Sequence, residues 1–218
     1  MIAGRSHCDG CGQTLRAADL VPLVSYVWLK GRCRSCRAPI AIDQPVAELG
    51  GVLVGIVAAL SASTVAGCAL WAVFGWLLVA LALLDARHFW LPDALTLPMI
   101  ALGLVAAAVI PEISLVDRLL GMLCGYGLLE GLRRSYRIVS GRDGLGAGDP
   151  KLLAAIGAWL GLAMLPWVLL LAAGLGLLLV GYRAIRGRVP SRLDRLPFGA
   201  FLAGAAILLM PISTALVG

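Results

Sequence analysis

Four long stretches of this chain carry no Asp, Glu, Lys, Arg or His: 49–84, 94–111, 152–182 and 196–218. A helix that crosses a bilayer needs about 20 mostly apolar residues, so the first and third stretches have room for two helices each. Ser61-Ala62-Ser63-Thr64 divides the first, which predicts helices near 46–62 and 66–84. Pro166 divides the third and predicts pieces near 149–164 and 167–183, both short for full spans. The other two runs predict helices near 94–110 and 197–216. A seventh is expected near 115–132, where Asp117, Arg118 and Glu130 leave an uncharged centre of eleven residues, 119–129. Open sheets and irregular loops cannot face lipid, because their backbone polar groups would go unpaired. The expected fold is therefore all-α, a polytopic membrane helix bundle of about seven spans.

Composition supports a membrane setting. The chain is 61% hydrophobic and 14% charged, against roughly 25% charged residues in a soluble domain. Its net charge of +6 is distributed unevenly. With the N-terminus in the cytoplasm, the cytoplasmic segments are 1–45, 85–93, 133–148 with the helix start after it, and 184–196. They hold 17 of the 18 Lys and Arg, counting Arg183 at a boundary, and only Arg118 falls on the other side. That one-sidedness is what the positive-inside rule predicts. It argues against a nucleic-acid partner, which would want the charges on one folded face interleaved with aromatics.

Residues 1–45 differ from the rest: they are polar and lack a signal-peptide apolar core. They contain Cys8-Asp9-Gly10-Cys11 and Cys33-Arg34-Ser35-Cys36, two Cys-x-x-Cys pairs separated by 21 residues. Each pair can offer two thiolates from one tight turn, with Gly10 and Gly12 easing the first, and two facing turns give tetrahedral zinc coordination. Two disulfides or four incidental thiols are the alternatives, and a reducing cytoplasmic location counts against the disulfides. The domains expected are a four-cysteine zinc-binding segment, 1–45, and a transmembrane domain, 46–218. Cys68 and Cys124 lie in apolar spans and are expected to be small core residues.

A structural zinc site has all its positions filled by protein, so any chemistry lies elsewhere. Ionisable residues at membrane depth are functional candidates by default. Asp85 closes the second expected span, and Asp149 opens the fifth within Gly144-Leu145-Gly146-Ala147-Gly148-Asp149-Pro150-Lys151. Both fall at the cytoplasmic edge on different helices. Two carboxylates brought together share one proton, the arrangement that aspartyl hydrolysis uses. Gly146 and Gly148 would let a peptide backbone approach closely, and Pro150 suits a first helical turn. Taken singly, Asp149 reads as a helix cap and Asp85 as an interfacial charge.

Asp85-Ala86-Arg87-His88-Phe89-Trp90-Leu91-Pro92-Asp93, followed downstream by Gly146-Ala147-Gly148-Asp149-Pro150-Lys151-Leu152-Leu153, resembles the bacterial prepilin peptidases. These type IV leader peptidases are membrane aspartyl proteases of the GxGD type. The cysteine pairs, Leu29-Lys30-Gly31-Arg32-Cys33 and Leu196-Pro197-Phe198-Gly199 fit in the family's order. The resemblance implies that Asp85 and Asp149 are the catalytic pair. Its implied reaction is removal of the basic leader from type IV prepilins or type II secretion pseudopilins, at the cytoplasmic face of the inner membrane. Many members also methylate the new amino terminus, which makes S-adenosylmethionine a second expected cofactor beside zinc. Lys151 matches the family's lysine after the GxGD and is a substrate-binding candidate with an electrostatic role; Asp93 is expected to cap a helix. Family members usually begin with a further apolar helix, which this chain is expected to lack, and commonly have Pro where Ala200 stands. The competing reading is a catalytically impaired, truncated paralogue that acts as a zinc-containing membrane scaffold or assembly factor. It would require neither aspartate. Reading 144–148 as a nucleotide or S-adenosylmethionine loop needs a preceding strand, and a membrane helix is expected there instead.

Overall fold

A computed structural model describes residues 6–217 except Pro22, Asp143 and 188–195. Arg5, Arg188, Arg192 and Arg195, part of the charge pattern above, lie outside the described residues. The helices are α1 (Val24–Trp28), α2 (Asp43–Ser61), α3 (Val65–His88), α4 (Asp93–Val105), α5 (Leu115–Ser140), α6 (Asp149–Leu160), α7 (Leu165–Ile185) and α8 (Phe198–Val217). Three short 3-10 helices (Ala17–Leu20, Ala106–Ala108 and Leu162–Met164) and two isolated β-bridges accompany them among the described residues, so the fold is all-α as expected. Each of the seven apolar segments forms one helix, α2 to α8. By length and composition, α2, α3 and the helical stretch from Leu162 to Ile185 could cross a membrane, while α4 and α8 are shorter apolar helices. Large apolar side chains stand bare on outer faces, such as Leu60 at 71% and Leu177 at 72% exposure. Such surface suits lipid.

The helix boundaries have local causes. Thr64 caps α3, its hydroxyl accepting from the Gly67 N–H at 3.1 Å. The break inside the third apolar run falls at Gly161, whose φ is +81°, and not at Pro166. Proline is at home in a first helical turn, and Pro166 sits in that of α7. Helix α5 runs on to Ser140, eight residues past the expected end, and stops at Gly141 with φ +67°. Its charges are accommodated: Glu130 accepts from Arg133 at 2.9 Å and from Arg134 at 2.7 Å, one turn further on. Cys68 packs against the core, but Cys124 is exposed on α5, off the face that carries Gly121 and Gly125.

The chain divides into two compact units, residues up to 53 and residues from 54 onward. The second is organised around α6, in which every residue except Lys151 is buried. At 1.5 Å per residue α6 is about 18 Å long, too short to cross a hydrocarbon core of about 30 Å alone. It is a core element. Gly121 and Gly125 let α5 press onto the α6 backbone: a Cβ on Gly125 would lie 2.8 Å from the Leu153 carbonyl oxygen, and one on Gly157 would overlap the Gly121 carbonyl. Trp159 stacks on Phe74 with centroids 4.6 Å apart and donates its indole N–H to the Met99 carbonyl at 2.8 Å.

Arg118, the single cation on the far side of the charge pattern, is fully buried. Its guanidinium donates to the carbonyls of Ile113, Gly103, Ala158, Trp159 and Ile110 at 3.0–3.2 Å. Two of these belong to the last turn of α6, where helical carbonyls lack partners of their own. The residue that breaks the charge rule is a staple for helix ends.

Candidate active site and metal centre

Asp85 lies in the last turn of α3 and Asp149 opens α6; both are buried, at 6% and 5% exposure. Helix α3 stops because Phe89 turns into the left-handed region, φ +50°, and returns its N–H to the Asp85 carbonyl at 2.9 Å. The Asp85 Oδ2 accepts the Ala200 N–H at 2.9 Å. Ala200 stands in the first turn of α8, where backbone N–H groups have no acceptor within the helix. Asp149 Oδ2 accepts the Gly146 N–H at 3.0 Å. The two carboxyl groups are close enough for Asp85 to act electrostatically on Asp149. The fold thus brings together the two aspartates that the sequence singled out, 64 positions apart on different helices.

The other candidates stand differently. Lys151 Nζ is bonded to both oxygens of Asp93 at 2.7 Å. Asp93 is the first residue of α4, and its carboxylate serves that ion pair. Gly146 and Gly148, expected to admit a substrate backbone, have nearer neighbours. A Cβ on Gly146 would lie 3.0 Å from Asp149 Oδ2, and one on Gly148 would lie 2.6 Å from Leu91 Cβ. The Gly146 amide is engaged by Asp149 and Gly148 is packed, so Gly-x-Gly-x-Gly does not fit an S-adenosylmethionine cradle. Sequence reasoning missed Leu91 and the α8 start as site elements. A glycine beside each aspartate, Gly148 before Asp149 and Gly199 against Asp85, was the available signal.

In the first unit the two cysteine turns are built alike. Cys8 N–H donates to the Gln13 carbonyl at 3.0 Å and Cys33 N–H to the Ala38 carbonyl at 2.8 Å. Gly12 and Arg37, each four places after the first cysteine of its pair, take φ +67° and +61° and donate back to that cysteine's carbonyl. The ligand atoms of Cys8, Cys11, Cys33 and Cys36 all lie within 4.8 Å of one another, an arrangement that can hold a metal ion. Four sulfurs at about 2.3 Å from a tetrahedral zinc are about 3.8 Å apart; Cys8 Sγ and Cys36 Sγ are 3.8 Å apart. The backbone amides of Cys36 and then Ser35 lower the Cys33 thiol. Against the pull of the Ala38 backbone, desolvation and the neighbouring thiols push Cys36 up, so Cys33 is the first of the pair to lose its proton. Beside the cluster Arg34 holds the Asp19 carboxyl below its usual range, through a contact of 2.7 Å. The residues fit zinc.

The type IV leader peptidase family matches residues 72–181, a span that contains Asp85 and Asp149. The bacterial peptidase A24 N-terminal domain matches residues 1–62, which contain the four cysteines. The prepilin leader peptidase/N-methyltransferase of Aeromonas hydrophila is 38% identical over 204 residues, covering 93% of this chain and 70% of that protein. The chain belongs to the type IV leader peptidase family. Proteins of the same name from Burkholderia pseudomallei and Pseudomonas aeruginosa are 42% and 40% identical, over 94% and 93% of this chain and 66% and 70% of theirs. No solved structure matches the chain.

Proposed function

We propose that this chain is a membrane aspartyl endopeptidase that removes the basic leader of type IV prepilins or type II secretion pseudopilins. The reading places it in the inner membrane with its site toward the cytoplasm, and takes Asp85 and Asp149 as the catalytic pair. The observation that carries it is the meeting of two buried aspartates from α3 and α6 within the family's matched span. In this chemistry the ionised carboxylate takes a proton from water as the oxygen attacks the scissile carbonyl. The protonated carboxyl hydrogen-bonds the carbonyl oxygen and neutralises the developing charge. Collapse of the tetrahedral species breaks the C–N bond, and the leaving amine receives the proton taken from water.

The four cysteines of the 1–45 segment would hold a structural zinc, whose contribution is to fold that segment, while 46–218 forms the transmembrane peptidase domain. The relatives' name supports a second activity, methylation of the new amino terminus, for which S-adenosylmethionine is the expected donor. Incubating the purified protein with a prepilin peptide and weighing the products reads cleavage and methylation together. Cleavage should fall on the order of 10³-fold or more in Asp85→Asn and in Asp149→Asn, with folding retained. Near-normal processing by either variant would overturn the assignment.

A further inference from the structure

Leu91 stands in the segment 89–92 that joins α3 to α4. It is 8% exposed, although its neighbours Phe89 and Trp90 are 45% and 60% exposed. Its root lies against one catalytic segment and its tip against the other. A Cβ on Gly148, the residue before Asp149, would come 2.6 Å from Leu91 Cβ. A Cβ on Gly199 would come 2.9 Å from Leu91 Cδ1 and also 2.9 Å from Asp85 Oδ2. The backbone that carries one aspartate and the backbone beside the other therefore rest on a single side chain. Neither glycine leaves room for a methyl group between them and Leu91.

We propose that Leu91 is a positioning residue that sets the separation of Asp85 and Asp149, a role that rests on the peptidase reading above. Protein interiors are close-packed and pass small volume changes on to their neighbours, so the volume of this leucine fixes how far the start of α6 stands from the start of α8. Coupling between two carboxyl groups falls with distance, which makes their titration a ruler for that separation. Asp85 acts on Asp149 through space, and on α5, which presses onto α6, Glu130 is bonded to Arg133 and Arg134. Asp93 and Lys151 are bonded to each other, Arg87 and His88 continue α3 beyond Asp85, and α8 carries no ionisable side chain.

The test is the rate of prepilin-peptide cleavage as a function of pH, whose two limbs report the two protons of the pair. Leu91→Ala lets the two segments close on a smaller side chain, so it should move the limbs apart by about half a pH unit or more. It should lower kcat by about tenfold or more with KM little changed. Leu91→Met conserves volume and should keep the wild-type profile. Leu91→Val keeps the contact at Gly148 and loses the one at Gly199, so it supplies an independent, intermediate widening should the alanine variant fold poorly. A residue that merely stabilises the fold would scale activity at every pH and leave the limbs in place. Unchanged or narrower limbs in the Ala and Val variants, or a Met variant that behaves like Ala, would overturn the proposal. Failure of the peptidase reading itself looks different: wild-type protein that does not cleave, or cleavage that survives Asp85→Asn.

Discussion

Lys151 Nζ lies 2.7 Å from each carboxylate oxygen of Asp93, so the first turn of α6 is tied to the first turn of α4 two residues from Asp149. The lysine is bonded to that carboxylate and not to Asp85 or Asp149. Its side chain is 32% exposed and that of Asp93 54% exposed, and pairs so open to solvent contribute about 0–1 kcal/mol. Lys151→Met and Asp93→Asn should therefore each lower stability only slightly. A double-mutant cycle on thermal unfolding in detergent should return a small favourable coupling. A coupling of zero would show that the contact is incidental.

The four cysteines make a prediction about composition as well as stability. Metal analysis should find one zinc per chain, and a Cys33→Ser, Cys36→Ser double variant should lose it, because each pair supplies half of a tetrahedral set. A chelator strong enough to strip the ion should open residues 6–42 to protease. Zinc content unchanged in the double variant would sink the assignment.

Much of this architecture is legible from charge alone, because a lipid-facing helix tolerates few ionised groups and the seven apolar segments stand out. The charged ends are harder. Asp117, Arg118 and Glu130 read as interruptions of α5, yet Arg118 is satisfied by five carbonyls, three of them on α4 and α6, and Glu130 by arginines one turn away. The carbonyls from α4 and α6 that hold Arg118 are set by tertiary packing and leave no local pattern, whereas the i,i+3 and i,i+4 spacing of Glu130 from Arg133 and Arg134 was readable along the chain. Proline misled for a related reason: Pro166 marks a helix beginning, and the break belongs to Gly161 before it. The aspartates were legible because ionisable residues at membrane edges are rare. Leu91 was not, since one leucine in an apolar chain carries no signal until its two glycine neighbours are located.

Those close approaches separate the glycines of α5 and α6 into two kinds. A Cβ on Gly157 would overlap the Gly121 carbonyl of α5, backbone against backbone, with no flexible side chain to give way. Gly127 has nothing within 4 Å of the corresponding point. Gly157→Ala should accordingly prevent assembly of α5 on α6. Gly127→Ala should be neutral or raise stability by up to about 1 kcal/mol, from the better helix propensity of alanine. Thermal unfolding of the two variants side by side checks this, and similar behaviour in both would refute the close packing.

Arg118 offers the sharpest test of how α6 is held. Its three guanidinium nitrogens meet five carbonyls from the end of α4, the 110–113 segment and the last turn of α6, and the side chain is fully buried. Arg118→Met would leave several buried carbonyls without a donor, each costing about 1–3 kcal/mol where nothing replaces it. Arg118→Lys keeps the charge but not the planar fork that reaches acceptors in several directions at once. The expected order of thermal stability is therefore wild type, then lysine, then methionine, with the methionine variant losing at least about 3 kcal/mol or failing to accumulate. Tryptophan fluorescence follows the same event, because Trp159 lies at the α6 end that Arg118 grips. If the methionine variant melts with the wild type, the guanidinium is not what holds that end of the helix.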